Sequence, residues 1–159
     1  MVEVLCTHTP EQLADVRLML HGLAMHFSGL GHEGIEADAF DDEIEGPDSL
    51  YDEPGGRILL ARIEGTPVGC AMLRPLPDGT CEVRRVFVSA EVRRRGVARA
   101  MMVRLMSEAR DEGYDRMRLS TGSEFFSAIA LYESLGFKHI PRYRETLWDD
   151  VAFMEADLT

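Results

Sequence analysis

Residues Glu82–Arg99, EVRRVFVSAEVRRRGVAR, constrain this chain more than any other stretch. Val83, Arg85 and Phe87 alternate with Glu82, Arg84, Val86 and Val88, the period of two that marks a strand. A short polar turn of Ser89, Ala90 and Glu91 follows, and Arg93-Arg94-Arg95-Gly96-Val97-Ala98-Arg99 opens a helix. A strand, a basic glycine-bearing turn and a helix start together make a site for an anion. The first N–H groups of a helix lack partners within it, and the macrodipole places partial positive charge at the same end. Gly96 and the small Ala98 let phosphate oxygens approach that backbone, and Arg93, Arg94, Arg95 and Arg99 supply charge-assisted donors.

The arginine-rich turn is a local feature of an acidic chain. The formal net charge is −11, which argues against a general nucleic-acid binder, so the turn does not read as a DNA patch or nuclear signal. At 159 residues, 45% apolar and 28% charged, the chain is long enough for one domain, 1–159, with a core that needs no staples. Cys6, Cys70 and Cys81 are odd in number, far apart and set in apolar runs, so buried reduced thiols are expected. His8, His21, His26, His32 and His139 form no HExxH or i, i+4 pair, and no metal is expected. MVEVLCTH lacks the basic and long apolar regions of a signal peptide, and no apolar run reaches membrane-spanning length. The expected setting is the cytoplasm, with no membrane or nucleic-acid partner.

Residues 2–8 read as a strand. Thr9-Pro10-Glu11-Gln12 is a helix start with a Thr N-cap, Pro at the first helical position and Gln closing a capping box. Leu13, Val16, Leu20, Leu23 and Phe27 then recur at helical spacing, and Gly29 and Gly31 stop the helix. The segment from Gly31 to Glu53 is crowded with acid, including Glu33, Glu36, Asp38, Asp41, Asp42 and Glu43, and a short helix fits 36–45. It reads first as a solvated face and second as a negative rim attracting a cationic substrate. Arg57–Glu64, Val68–Leu73 and the strand containing Glu82 follow as a meander with Gly/Pro turns. Val97, Met101, Leu105 and Ala109 mark the core face of the next helix, which Gly113 ends. Arg116–Thr121 is a strand, Gly122-Ser123 a turn and helix cap, Phe125–Leu135 a helix, and 137–140 and 151–158 final strands. The order β-α-α-β-β-β-α-β-α-β-β predicts a parallel pair around the basic turn with a right-handed crossover, among otherwise antiparallel strands.

Two motifs carry a resemblance. Arg93-x-x-Gly96-x-Ala98 is similar to the [Q/R]-x-x-G-x-[G/A] element of the GNAT N-acetyltransferase superfamily, small-molecule type. Some forty residues on, Ala128-Ile129-Ala130-Leu131-Tyr132-Glu133-Ser134-Leu135-Gly136-Phe137 resembles its A-x-x-L-Y-x-x-x-G-F element. The resemblance covers nearly the whole chain and is weakest over 31–55. It implies an α/β (α+β) fold with a mixed, mostly antiparallel sheet of six to seven strands, a central parallel pair and helices on both faces. It also implies acetyl-CoA as cosubstrate, with Arg93–Arg99 at the diphosphate and the backbone of Val86, Phe87 and Val88 at the thioester carbonyl and pantetheine. Many relatives carry Asn where this chain has Phe125, which alters the expected arm contacts. Many also pair as homodimers, and the residues themselves leave the oligomeric state open.

An amine nucleophile with a solution pKa near ~10.4 must lose a proton, at roughly 4–5 kcal/mol at pH 7, so a base is required. Glu82 is the candidate, with an ion pair to Arg84 or Arg118 as its structural alternative; carboxylates of 33–53 are further candidates. Tyr132 occupies the position of the family's general acid for the departing thiolate. His139 and Tyr143 lie near the end that lines the acceptor pocket in relatives. The leading expectation is transfer of an acetyl group from acetyl-CoA to a primary amine of a small, cationic molecule. The alternatives are a non-catalytic acyl-CoA-binding module on the same fold and a nucleotide-phosphate binder, the latter disfavoured by the lack of GxxxxGK[ST] and GxGxxG.

Overall fold

The computed structural model describes residues 1–29, 51–146 and 149–159. β1 (Val2–Cys6) leads into α1 (Pro10–Gly29), then β2 (Arg57–Ile63), β3 (Thr66–Leu76) and β4 (Thr80–Val88). A 3₁₀ turn (Ala90–Val92) precedes α2 (Val97–Glu112), β5 (Arg116–Gly122), α3 (Phe126–Ser134), β6 (Lys138–Ile140) and β7 (Val151–Asp157). The expected helix over 36–45 and most of the acidic segment lie outside the described residues, as does Trp148.

The local chemistry accounts for the boundaries. Thr9 Oγ1 accepts from the Gln12 N–H at 3.1 Å and Gln12 Oε1 accepts from the Thr9 N–H at 3.1 Å, the reciprocal capping box that starts α1. Glu64 and Gly65, with φ of 52° and 80°, make the two-residue turn that returns β2 into β3. Gly113, at φ 92°, closes α2 by donating to the carbonyls of Ala109 and Arg110. One boundary differs from the sequence expectation: the cap of α3 is Phe125, not Ser123, and it offers no side-chain oxygen.

The seven strands form one sheet in the order β1-β2-β3-β4-β5-β7-β6. Only β4 and β5 run parallel, joined through α2. α1 packs on one face, where Val16, Leu20 and Leu23 meet Leu60, Cys70 and Met72. α2 and α3 cover the other, where Met101, Leu105, Ala109 and Tyr132 meet Leu59, Val83, Met117 and Met154. Each face therefore buries one alternate set of strand side chains. The methionines of α2 are core, as their helical spacing predicts. Cys70 and Cys81 are buried on opposite faces, and desolvation raises each thiol to about 12, so both are inert. Cys6 is only half-buried and its thiol donates to Glu108.

Two irregularities open the centre of the sheet. The parallel ladder of β4 and β5 holds for three pairs, Thr80↔Arg116, Cys81↔Met117 and Glu82↔Arg118, and then ends although both strands continue. On its other edge β4 carries a bulge, because its register on β3 jumps from Cys70↔Phe87 to Met72↔Arg84. Arg85 sits there at φ 57°, a left-handed conformation that a bulge imposes. The extra residue inverts the alternation. Glu82 and Arg84 share a face, but Val86 and Val88 turn to the α2 side and Phe87 takes the α1 side. The unbroken alternation read from Glu82 to Val88 is thus corrected by one inserted residue.

Candidate active site

Beyond the bulge, the edge of β4 that faces β5 has no partner strand among the described residues, and the backbone of Val86, Phe87 and Val88 borders the resulting gap. The chain leaves this edge through the 3₁₀ turn and reaches α2 at Gly96. Arg94 and Gly96 adopt φ of 67° and 79°, so the turn folds the backbone back on itself. α2 itself begins at Val97, later than the arginine run that was expected to open it. A glycine N-cap brings no side-chain oxygen to the N–H groups of Val97, Ala98 and Arg99. Arg93, Arg94 and Arg95 are exposed around it, while Val97 is buried and pins the helix to the sheet. Arg93 donates through Nε to the Val88 carbonyl at 3.3 Å, and Arg99 Nη2 reaches Ser134 Oγ at 2.6 Å. The gap, the turn and the end of α3 are therefore held as one unit.

Tyr132, on α3, is 6% exposed and its ring leans on Phe137 at 5.9 Å. Desolvation raises its hydroxyl to about 12, so it stays protonated across the physiological range. Among the described residues that hydroxyl has no hydrogen-bond partner, which leaves its proton available. Phe125, in place of the Asn common in the resemblance, folds against Gly122, where an added Cβ would meet its ring at 3.0 Å. His26 of α1 stands 6.4 Å from the Phe125 ring; burial and then the nearby Arg93 charge hold its pKa below the ordinary histidine value.

Glu82 is the most connected charged group on the α1 side of the sheet. It is fully buried, and Arg74 reaches Oε1 through Nε at 2.8 Å and Nη2 at 2.7 Å. Oε2 accepts from the Tyr143 hydroxyl at 2.5 Å and from Arg144 Nε at 2.9 Å. Arg84 Nε is 3.9 Å from Oε1, the ion pair foreseen as the alternative to a basic role, while Arg118 pairs instead with Glu155 at 2.7 Å. Burial by itself would raise the Glu82 pKa, but the Tyr143 hydrogen bond and then the Arg74 and Arg144 charges outweigh it and hold the carboxyl below its ordinary value. The same contact pushes the Tyr143 phenol upward, after burial. Arg144 Nη2 also donates to Ser120 Oγ at 2.7 Å, bridging β4 and β5 where their ladder ends.

Arg74 and Arg144 were not singled out in the sequence, and Arg84 and Arg118 were named only as ion-pair partners for Glu82. A signal for the strand arginines exists: Thr80-x-Glu82-x-Arg84 and Arg116-x-Arg118-x-Ser120 are polar stripes on strands whose other faces are Cys81, Val83, Met117 and Leu119. Thr80, Arg116 and Arg118 of these stripes line a cavity of about 380 Å³ together with Arg74, Tyr143 and Arg144. His139, by contrast, is exposed on β6. Among the described residues no group of three or more His, Cys, Asp and Glu side chains could hold a metal, and no helix is long and apolar enough to cross a membrane.

The chain matches the Acetyltransferase (GNAT) family over residues 27–137. It is 27% identical over 161 residues to N-acetyltransferase C1271.07c of Schizosaccharomyces pombe, covering 99% of this chain and 96% of that protein. It is 38% identical over 86 residues to an IAA acetyltransferase of Azospirillum brasilense, covering 54% of this chain and 56% of that one. Its backbone superimposes on a GNAT-family acetyltransferase of Staphylococcus aureus with a TM-score of 0.81 over the whole of both chains, at 18% identity. The split parallel pair beside a glycine-capped helix therefore sits in an acetyl-CoA-dependent N-acetyltransferase: the chain belongs to the GNAT family.

Proposed function

We propose that this chain acetylates the primary amine of a small molecule by direct attack on acetyl-CoA, using the gap between β4 and β5 as the thioester site. The carrying observation is the unpaired edge of Val86–Val88 opening beside the uncapped first turn of α2. The turn 93–99 fits a diphosphate: Gly96 offers no side chain to obstruct it, and Arg93, Arg94, Arg95 and Arg99 supply charge. The pantetheine arm takes the place of a strand against Val86–Val88, whose N–H groups face the thioester carbonyl and stabilise the oxyanion as it develops.

In the reaction the amine nitrogen bonds to the carbonyl carbon, the carbon–sulfur bond breaks, and the ammonium proton is lost. Tyr132 donates to the departing sulfur. A phenol near 12 is a weaker acid than a thiol of roughly 8.5, so Tyr132 stabilises the thiolate through a hydrogen bond, with transfer completed as the amine loses its proton. Glu82 suits a different task from the proton abstraction expected of it. With both oxygens engaged by Arg74, Arg144 and Tyr143 it is ionised and weakly basic, and it orients those groups at the acceptor side. The amine therefore enters neutral or loses its proton to water.

The expectation of a cationic acceptor rested on 33–53, nearly all outside the described residues; the described cavity is lined by arginine. Reduced thiols fit a cytoplasmic setting. Titration calorimetry with coenzyme A tests the reading: binding is expected, and Gly96→Val should weaken it about tenfold or more by placing a branched side chain in a left-handed turn beside the phosphates. Wild-type protein that ignores coenzyme A, or a Gly96→Val variant that binds it unchanged, would count against the site.

A further inference from the structure

Resting on that reading of the reaction, we propose that the acceptor amine carries an oxyanion, a carboxylate or phosphate, held by the arginine cavity on the α1 side of the sheet. Four guanidinium groups, Arg74, Arg116, Arg118 and Arg144, line this cavity with one carboxylate, Asp78, while Glu82 and Glu155, outside its lining, pair with three of them. They do so in a chain whose net charge is −11, so the concentration of positive charge runs against the composition. Like charges at close quarters repel, and an incoming anion relieves that repulsion.

Three of the four guanidinium groups are fixed before any ligand arrives, and the exposed Arg116 is the fourth. Glu82, fully buried, serves both Arg74 and Arg144 with Arg84 3.9 Å away, so one negative charge is shared by three positive ones. Arg118 is clamped by Glu155 through Nε at 2.7 Å and lies 5.1 Å over the Tyr143 ring, and among the described residues the terminal nitrogens of its fork have no hydrogen-bond partner. Arg116, among the described residues, makes no salt bridge, and its cross-strand neighbour on β7 is Asp157. A preorganised fork costs little ordering entropy on binding a planar or tetrahedral oxyanion bidentately.

Position links the cavity to the chemistry. Arg118 and Glu82 form the last pair of the parallel ladder, and Arg144 stretches from Glu82 to Ser120, the next residue of β5 on that face. An acceptor whose anion rests on Arg116 and Arg118 thus directs its amine along β5 toward the gap where the strands part. A polyamine or aminoglycoside would bring a second positive charge against these arginines.

The test is a competition assay with acetyl-CoA in which acetylated products are read by mass spectrometry. The probes are the twenty common amino acids, their carboxamides, phosphoethanolamine, and spermidine as the cationic control. Acids or phosphoethanolamine are expected to exceed the matching neutral or cationic probes by about tenfold to a hundredfold in kcat/KM; which of the two leads identifies the anion. Arg116→Met should shrink that ratio toward one while coenzyme A affinity and the thermal midpoint stay at wild type. Preference for carboxamides or spermidine overturns the proposal, as does an equal loss on acids and amides in Arg116→Met. So does the absence of acetylation of every anionic probe while coenzyme A still binds, and that outcome leaves the proposed function standing. Loss of coenzyme A binding by the wild type removes the reading on which the proposal rests.

Discussion

Tyr132 and Glu82 are both buried and titratable, yet their surroundings give them opposite characters. Tyr132 has lost water and gained no partner, so its proton is poorly acidic but uncommitted. Replacing it with Phe removes one hydroxyl that the fold does not use. The expected result is a fall in kcat of about a hundredfold with an unchanged thermal midpoint and unchanged KM for acetyl-CoA. In the wild type, kcat/KM should climb with pH until the acceptor amine is neutral, with no descending limb from Tyr132 over that climb, because the phenol ionises only near about 12. Glu82 is the reverse case, stripped of water but given three donors in return. Glu82→Gln keeps the shape and strands the Arg74 and Arg144 charges. It should cost about 3 kcal/mol, a drop in the thermal midpoint of roughly 6–12 °C for a chain of this size, measurable by calorimetry.

At the scale of elements, the strand and helix identities followed from side-chain period, because each strand buries one alternate set and each helix one stripe. The capping box at Thr9 and the glycine stop at Gly113 were equally legible, since local hydrogen bonding determines both. The bulge at Arg85 was not. A single inserted residue leaves the pattern VRRVFV looking like regular alternation, and only pairing with β3 reveals the slip. The basic turn and Tyr132 lay in compact sequence motifs and could be proposed as a site. The arginine cavity gathers residues from β3, β5 and the segment before β7; polar alternation marks its β5 part, but no compact motif joins Arg74 and Arg144 to it. Packing beside the bulge offers a check: at Gly69, a Cβ would lie 2.8 Å from the Phe87 carbonyl oxygen and 3.1 Å from Met101 Cε. Gly69→Ala should therefore push β3 from β4, costing about 1–3 kcal/mol in denaturant melts.

For the whole molecule, carboxylates held by arginine bind the sheet to its surroundings. Glu108 joins Arg57 of β2 at 2.9 Å and Arg104 of its own helix at 3.3 Å. Its pKa falls chiefly through the Arg57 hydrogen bond, and that of Glu82 falls despite burial. Both carboxyls thus bind protons less readily in the folded state than in the unfolded one, where the ordinary value is 4.5. Their stabilisation is complete above that value and is lost as pH drops through the folded values. Thermal midpoints should be level near neutrality and decline steadily below about pH 4.5, with a shallower decline in Glu82→Gln.

The sheet is seamed at its middle by three residue pairs only, with β1–β4 to one side and β5–β7 to the other. Beyond that short seam the two wings can spread or close like a book whose binding stops halfway down the spine. A donor molecule wedged between the pages would act as a keystone, lending rigidity to wings that both carry arginines of the cavity. Amide hydrogens of Val86–Val88 should then exchange with deuterium more slowly once coenzyme A is added, and those of Arg118–Ser120 should slow with them though they touch no phosphate. Slowing confined to the arginine turn would mean that the wings move independently of the donor.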